Sequence, residues 1–465
     1  MFKRVTQSVA NQVDPGGDLV PVHSILDHEQ FRPLCLVRKK RKAVFQPCSR
    51  YKQTGFRLED VLLPGGDHKS TESLFLNGGG HKSTPFTVKK STTDRVDGSL
   101  SLSIDSASLE MKAAASLAKW WSLKLEKSYI KLPQLEALKT ERKMNVNHSF
   151  IRQLQKTQQD LYVVHETVEA LEETSYEEST EATGTFMTQI YAKFCAKGNQ
   201  ESKQSITIPK GCALAFKAIQ LAIRDTSWDL VYVTTRKPSL FTSDGKFKII
   251  GTGPHTPATS LGFRQGKFGA LQIEVKENCQ VLSKFSSALF AAFLKALKAA
   301  MRDGNLFQEL THKMEAVLEA GGCKLKTESP DLKDLLSRLQ FSSEHLLLKA
   351  AQAITYVLDA FEELMEDQLL LLLESWDEKI VPQQLKLVES ILEQDIEQGK
   401  RHFSIDTSLL AFSGEKEQEL TLAMVQLSGV TLQKDGSAVC TEEAFSAVAA
   451  LYVPLYILSL RSNSD

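Results

Sequence analysis

No run of about 18 apolar residues occurs anywhere in this chain, so no membrane-spanning helix is expected. No apolar stretch follows the N-terminal cations either, so no secretory signal is expected. The seven cysteines, at 35, 48, 195, 212, 279, 323 and 440, are odd in number and never spaced Cys-x-x-Cys. Scattered thiols of this kind fit a reducing cytosol better than a disulfide framework or a zinc site. Catalytic patterns are missing as well: there is no Gly-x-Ser-x-Gly, no Walker-type phosphate loop and no His-Glu-x-x-His. "GGGHKST" (78–84) has the wrong spacing for a phosphate loop and reads as a polar turn. The ten histidines are dispersed. The expectation is a non-enzyme with no cofactor, no metal ion and no nucleic-acid partner.

The chain has an ordinary globular composition and an uneven charge. Of its 465 residues 42% are hydrophobic and 24% charged, enough for more than one domain with its own core. The net charge of −1 hides two unlike halves. Through Asp244 there are 34 Lys and Arg against 27 Asp and Glu; beyond it, 22 against 30. Opposite signs suit mutual attachment and an anionic partner for the basic half, although domains also differ by a few charges through chance.

Texture changes with charge. "FKRVTQSVANQV" (2–13) puts Phe2, Val5, Val9 and Val13 on one helical face. "FRPLCLV" (31–37) reads as a strand running into the basic run Arg38, Lys39, Lys40, Arg41 and Lys42, with Val44 and Phe45 just behind. A solvated loop and a nuclear localisation signal are both open readings. The apolar pair favours a hairpin tip that meets an anionic surface with apolar depth, because a solvated loop gains nothing by showing Val and Phe. Strict alternation marks 94–106, 116–130 and 178–194 as strands wet on one face, the last paired with 160–173. Several match the 9–11 residues of a membrane β-strand, yet an ordinary half-buried sheet has the same period. From about residue 270 the spacing is helical, over 287–301, 345–376 and 382–394, with Pro382 starting a helix and breaks at 321–322 and 328–331. The fold expected is α+β: an N-terminal domain (1–237) of twisted antiparallel sheet with flanking helices, a linker (238–268), and a C-terminal all-α helical domain (269–465).

The linker holds "PSLFTSDGKFK" (238–248), where Phe241, Thr242, Ser243, Asp244 and Gly245 stand in a stretch rich in loop formers. A plain loop that contains Asp-Gly is one reading; a protease site dividing the basic half from the acidic half is the other.

At this point five collinear segments resemble the gasdermin family over essentially the full length. They are the N-terminal "FKRVTQSVANQVDPGGDLVPVHSI", "FRPLCLVRKKRK", "DLYVVHETVE", "ITIPKGCALAFKAIQL" (206–221) and the C-terminal pair "EKIVPQQLKLVESILEQ" with "ALYVPLYILSL". Within it, "LKLVES" is most similar to A-type members and the linker to D-type members. The resemblance implies a latent pore-forming protein held by its helical domain. A protease cuts the linker, and the N-terminal fragment binds acidic inner-leaflet lipids (phosphoinositides, phosphatidylserine, cardiolipin). It then assembles as a homo-oligomeric β-barrel and causes lytic cell death. A lipid-binding scaffold that makes no pore is the alternative. The protein would be cytoplasmic when latent and at the plasma membrane after cleavage.

The resemblance also implies residue roles. Arg4, Arg38 to Lys42, Arg50 and Lys52 match lipid-binding regions, with Val44 and Phe45 at the membrane tip. Gln7 and Ser8 replace arginines usual in D-type members, which shifts weight to the Arg38–Lys42 run. Autoinhibitory contacts fall on Leu271, Tyr356 and Ala360. Each subunit gives two membrane hairpins, about 80–125 and 162–205, which must close into a barrel because an open sheet edge cannot lie in hydrocarbon. The Phe-Thr-Ser-Asp site suits an inflammatory caspase cutting after Asp244. "DRVDG", with Asp94 and Asp97, is either a pair of turn aspartates or an apoptotic caspase site whose cleavage inactivates. Cys195, beside the apparent turn "AKGN", is either a core thiol or a site of S-acylation.

Overall fold

The structure is a computed structural model. It describes residues 2–64, 81–91, 120–157, 159–178, 190, 193, 204–224, 226–232, 266–320, 325–394, 396, 400–441 and 444–460. Two compact units divide the chain. The first comprises 1–42, 48–184 and 200–260; the second comprises 261–465 together with the short stretches 43–47 and 185–199.

The first unit opens with helix α1 (Phe2–Val13), where Phe2, Val5 and Val9 of the expected stripe are buried, Val13 is half-buried and Ala10 is buried as well. The strands are β1 (Val20–Pro21), β2 (Cys35–Lys39), β3 (Tyr51–Arg57), β4 (His81–Lys82), β5 (Phe86–Ser91), β6 (Trp120–Tyr129), β7 (Leu161–Ala170), β8 (Thr174–Glu178), β9 (Gln204–Ile208), β10 (Ala213–Arg224) and β11 (Ser227–Val231). Between β6 and β7 lie α2 (Leu132–Glu141) and α3 (Ser149–Thr157). Nine strands form one antiparallel sheet along β1-β10-β7-β2-β3, with β11 on β10 and the β4, β5, β6 group joined through β6 to β7. β7 is the hub. β10 pairs along one edge, while on the other β2 takes Leu161–Val163 and β6 takes Glu166–Ala170.

This hub is buried on both faces, and the period of two sends alternate residues to two cores. Cys35 and Val37 of β2, with Tyr162 and Val164 of β7, pack beside α1 and Phe216. Leu36, Leu161 and Val163 point the other way, to Leu135, Leu138, Ile151 and Trp228. In β6, Leu123 and Leu125 are buried and Lys124 is exposed, so the alternation expected over 116–130 holds there. β5 pairs with β6 from Phe86↔Leu125 to Ser91↔Trp120, an antiparallel hairpin base where the first long hairpin was expected.

Three expectations need correction. The strand expected over 31–37 starts only at Cys35, because a 3₁₀ turn runs to Phe31 and Pro33 carries no N–H to donate to a ladder. Leu34 between them takes φ +72°, a strained value for a non-glycine residue, held by full burial and by bonds to Val164 and Leu58. The described partners of β7 are β10, β2 and β6 rather than the expected 178–194, most of which lies outside the described residues, and β8 pairs with β9. Finally, Ile190 and Lys193, inside that expected strand, have helical backbone. They stand three apart, so one helical face serves both. The alternating stretch 94–106 lies outside the described residues.

The second unit is helical: α4 (Lys267–Ser283), α5 (Ser287–Arg302), α6 (Gly304–Ala320), α7 (Pro330–Gln340), α8 (Glu344–Glu363), α9 (Glu366–Asp377), α10 (Val381–Leu392), α11 (Glu415–Leu427) and α12 (Ala444–Ser459). Ser286 and Ser343 cap α5 and α8 by accepting from Leu289 and Leu346 N–H groups. The apolar run 345–376 breaks at Leu364–Met365 into α8 and α9. α8 lies at the centre, packed on α4, α6, α7 and α12. A small antiparallel sheet, β12 (His402–Ser404), β14 (Ser437–Cys440) and β13 (Val430–Leu432), accompanies the helices.

Candidate functional site

β2 and β3 form the basic hairpin. Arg38 sits opposite Lys52 and Lys39 opposite Tyr51, and the Lys40 N–H donates to the Arg50 carbonyl at 2.8 Å. Antiparallel register therefore gathers Arg38–Lys42, Arg50 and Lys52 on one hairpin. Their exposure differs. Lys39, Arg41 and Lys42 are exposed; Arg38, Lys40 and Lys52 are half-buried. Arg38 donates to the Gln159 side chain at 2.5 Å. Arg50 is only 4% exposed, so it braces the hairpin rather than presenting a charge. Arg4 lies in α1.

The tip, 43–47, counts with the helical unit. Phe45, expected at an exposed tip, has no exposed surface at all. Its ring meets Tyr356 of α8 edge-on, centroids 5.3 Å apart at 71°, the geometry that aromatic quadrupoles favour. Leu271 and Ala360, both fully buried, belong to the same core, with Ala43 and Val44 packed against it. Of the three expected contacts, Tyr356 meets the hairpin tip directly, while Leu271 and Ala360 are buried members of the core that runs through the helical unit.

A carboxylate completes this cluster. Glu274 Oε1 accepts from the Val44 N–H at 3.0 Å and from the Tyr356 hydroxyl at 3.1 Å. Burial, with the Glu274 charge second, drives the Tyr356 phenol far above its ordinary pKa, so it remains a proton donor. The tip is further tied by the Ala43 N–H donating to Gln46 at 3.0 Å. Sequence reasoning missed Glu274, although it stands one turn from Leu271 on the same helix.

A second cluster lies on α9. Lys193 Nζ is 2.6 Å from Glu374 and 3.2 Å from Asp377; Lys416 is 2.5 Å from Glu374 and Lys298 2.6 Å from Asp377. Burial raises the Glu374 carboxyl, but hydrogen bonds from Lys193 and Lys416 outweigh it and leave the group below its ordinary value. Ile190, one turn before Lys193, is 3% exposed and packs in the helical core. Sequence reasoning missed this cluster too: 178–194 reads with a period of two, which does not place Ile190 and Lys193 on one helical face.

Phe241–Gly245, Asp94, Asp97 and Cys195 lie outside the described residues. Among the described residues no group of three His, Cys, Asp or Glu side chains is arranged to hold a metal ion. No described helix is long and apolar enough to cross a membrane, a statement silent about β-barrels.

Comparison with known proteins identifies the family. Residues 1–243 match the gasdermin pore-forming domain and 267–439 the gasdermin PUB domain. Gasdermin-A of Mus musculus is 31% identical over 474 residues, covering 100% of both chains. Gasdermin-A of Homo sapiens is 31% identical, covering 98% of each, and Gasdermin-D of Homo sapiens 26% identical at the same coverage. A cryo-EM structure of the Gasdermin A3 membrane pore matches 51% of this chain and 96% of its own, at 24% identity and a TM-score of 0.32. With matches to both domains and full-length similarity to A-type members, the chain belongs to the gasdermin family.

Proposed function

We propose that this gasdermin is a latent pore-forming protein kept silent by its own helical region. The domains are 1–237 for the pore, 238–268 for the linker and 269–465 for the repressor. An inflammatory caspase cuts after Asp244, and the 1–244 fragment binds acidic phospholipids through its basic hairpin. The fragment then assembles with further copies into a β-barrel at the plasma membrane and kills the cell by lysis. Before the cut the protein is cytoplasmic.

Phe45 carries the reading. It is an apolar residue behind five cations, yet it is fully buried against Tyr356 in the helical unit. A membrane anchor is thereby withheld in the core of the helical unit, to which Leu271 and Ala360 also belong. Cutting the linker adds little driving force of its own. It turns a tethered repressor, at an effective concentration near millimolar, into one that can dissociate. Lipid then competes for the hairpin. Two modifications refine the scheme: a cut after Asp97 severs the first membrane hairpin and inactivates, and acylation of Cys195 adds membrane affinity of about 0.8 kcal/mol per buried CH₂.

The test is incubation with an inflammatory caspase, mass measurement of the fragments, and dye release from phosphatidylserine liposomes. The expected result is a cut after Asp244 with leakage, and neither with Asp244→Ala. An Asp244→Ala protein still cut at another bond and still lytic would mean that a different protease reads the linker.

A further inference from the structure

We propose that Glu169 is a proton-controlled clasp in the first unit: on taking up a proton it tightens the pairing of β7 with β6. The clasp is independent of the linker and of the helical unit, and it rests on the pore-forming reading only for its consequence. Among the described strands, β6 is the element through which the β4, β5, β6 group joins the hub. That joint is short, five pairs from Leu125↔Ala170 to Tyr129↔Glu166, and its second pair sets Glu126 directly opposite Glu169. Two carboxylates in that relation repel across the ladder. β6 lies at the end of the first expected membrane hairpin and β7 opens the second, so this joint governs how firmly the two stay side by side.

The two carboxylates are not served alike. Glu126 bonds Lys82 of β4. Glu169 is 7% exposed and accepts no hydrogen bond among the described residues. The donors at hand are committed elsewhere. Arg32 Nη2 donates to Glu29 at 2.7 Å and to the Gly211 carbonyl at 3.1 Å, and the Thr167 hydroxyl donates to the Phe31 carbonyl at 2.7 Å. On the β10 side Glu169 faces Ala213, beside Cys212, whose buried thiol stays protonated. Burial leads in raising the Glu169 carboxyl above its ordinary 4.5; Glu126 and Glu29 push the same way, while Arg32 and Lys82 oppose them. A proton removes the buried charge and makes Glu169 a donor instead of a rival to Glu126. A carboxyl raised in the paired state favours pairing as pH falls through that raised value, with no further gain below 4.5. His165 on the same strand has the opposite sign: burial lowers it, so charging it in acid would weaken the strand.

The test is hydrogen exchange read by mass spectrometry on the uncut full chain, from about pH 7.5 to about pH 4.5, with each rate corrected for the intrinsic pH dependence of exchange. The β10–β11 pair is the internal reference. Protection of residues 125–129 and 166–170 in wild type should rise about two- to fivefold toward acid, the range for a directly opposed charge pair. Glu169→Gln should hold the acid level of protection at every pH. Glu126→Gln should move the midpoint of the rise down, and Lys82→Met should move it up. Flat or falling protection in wild type, or an equal rise in Glu169→Gln, would overturn the clasp; a fall would point to His165 instead. After linker cleavage, Glu169→Gln should release dye from phosphatidylserine liposomes faster than wild type at about pH 7.5 and at the same rate at about pH 4.5. Equal rates at the higher pH would overturn the link between the clasp and assembly. No release by either protein at any pH would count against the pore-forming reading, and exchange would still decide the clasp.

Discussion

Glu274→Ala separates the latch from the pore, because residue 274 lies outside the 1–244 fragment. The change deletes one acceptor and orphans two donors, the Val44 N–H and the Tyr356 hydroxyl. Each buried donor left unpartnered costs about 1–3 kcal/mol. Tyr356 is 8% exposed and stands toward the upper end; Val44 is half-buried, so water recovers part of its loss. A total near 2–4 kcal/mol corresponds to an undocked tip populated about thirty- to several-hundredfold more often. Dye release from acidic liposomes by the uncut protein reads that population. Uncut Glu274→Ala should leak measurably where uncut wild type is silent, and after cleavage the two should leak alike. Glu274→Gln keeps an oxygen acceptor without the charge and should fall between them. If uncut Glu274→Ala is as silent as wild type, with an unchanged melting temperature, docking of the tip does not depend on this carboxylate.

Neutralising Arg38 to Lys42 removes cations each contributing about 1 kcal/mol at an anionic surface, so the cleaved protein should no longer sediment with acidic liposomes. Retained sedimentation would move the lipid contact elsewhere. Treating the folded protein with an apoptotic caspase should cut after Asp97 and abolish leakage even once Asp244 is cleaved; an intact Asp97 bond refutes that site. The lysine–carboxylate cluster of Lys193, Lys416, Glu374 and Asp377 should not respond to pH near neutrality. Glu374 and Asp377 are both held below their ordinary values of 4.5 and 3.8 by lysine bonds that outweigh burial. Groups lowered on folding stabilise above their unfolded pKa and lose that contribution only as pH falls through the folded one. Lys193 and Lys416 are raised by the same bonds, so no partner titrates near pH 7. Association of the two pieces of linker-cleaved protein, held in solution without membranes, should therefore stay constant from neutral pH down to about 5, and a loss above that point would contradict the assignment.

Local pattern was a reliable guide where one face alone decides burial. The α1 stripe, the alternation of Leu123 and Leu125 in β6, and the serine-capped helices α5 and α8 follow from spacing and capping chemistry. Partner choice was not legible. β7 alternates between two cores, and nothing in its own residues says that β10, β2 and β6 share its edges. Ile190 and Lys193 suit either period; burial of Ile190 in the helical core and the carboxylates of α9 select the helix. Phe45 shows the same limit at the site. Its neighbours mark it for a surface, whereas Tyr356, more than 300 positions later, supplies the place where it is buried. Arg50 reads as one more cation, yet it is buried just ahead of β3. Glu274 left only the weak signal of a carboxylate one turn from Leu271.

The most direct test of the central claim is to image phosphatidylserine liposomes by electron microscopy before and after the linker is cut, while recording dye release on the same sample. The account predicts closed rings of many copies that appear with leakage only after the cut. Cleaved protein bound to the liposomes as dispersed copies, without rings and without leakage, would contradict it and identify a lipid-binding scaffold instead.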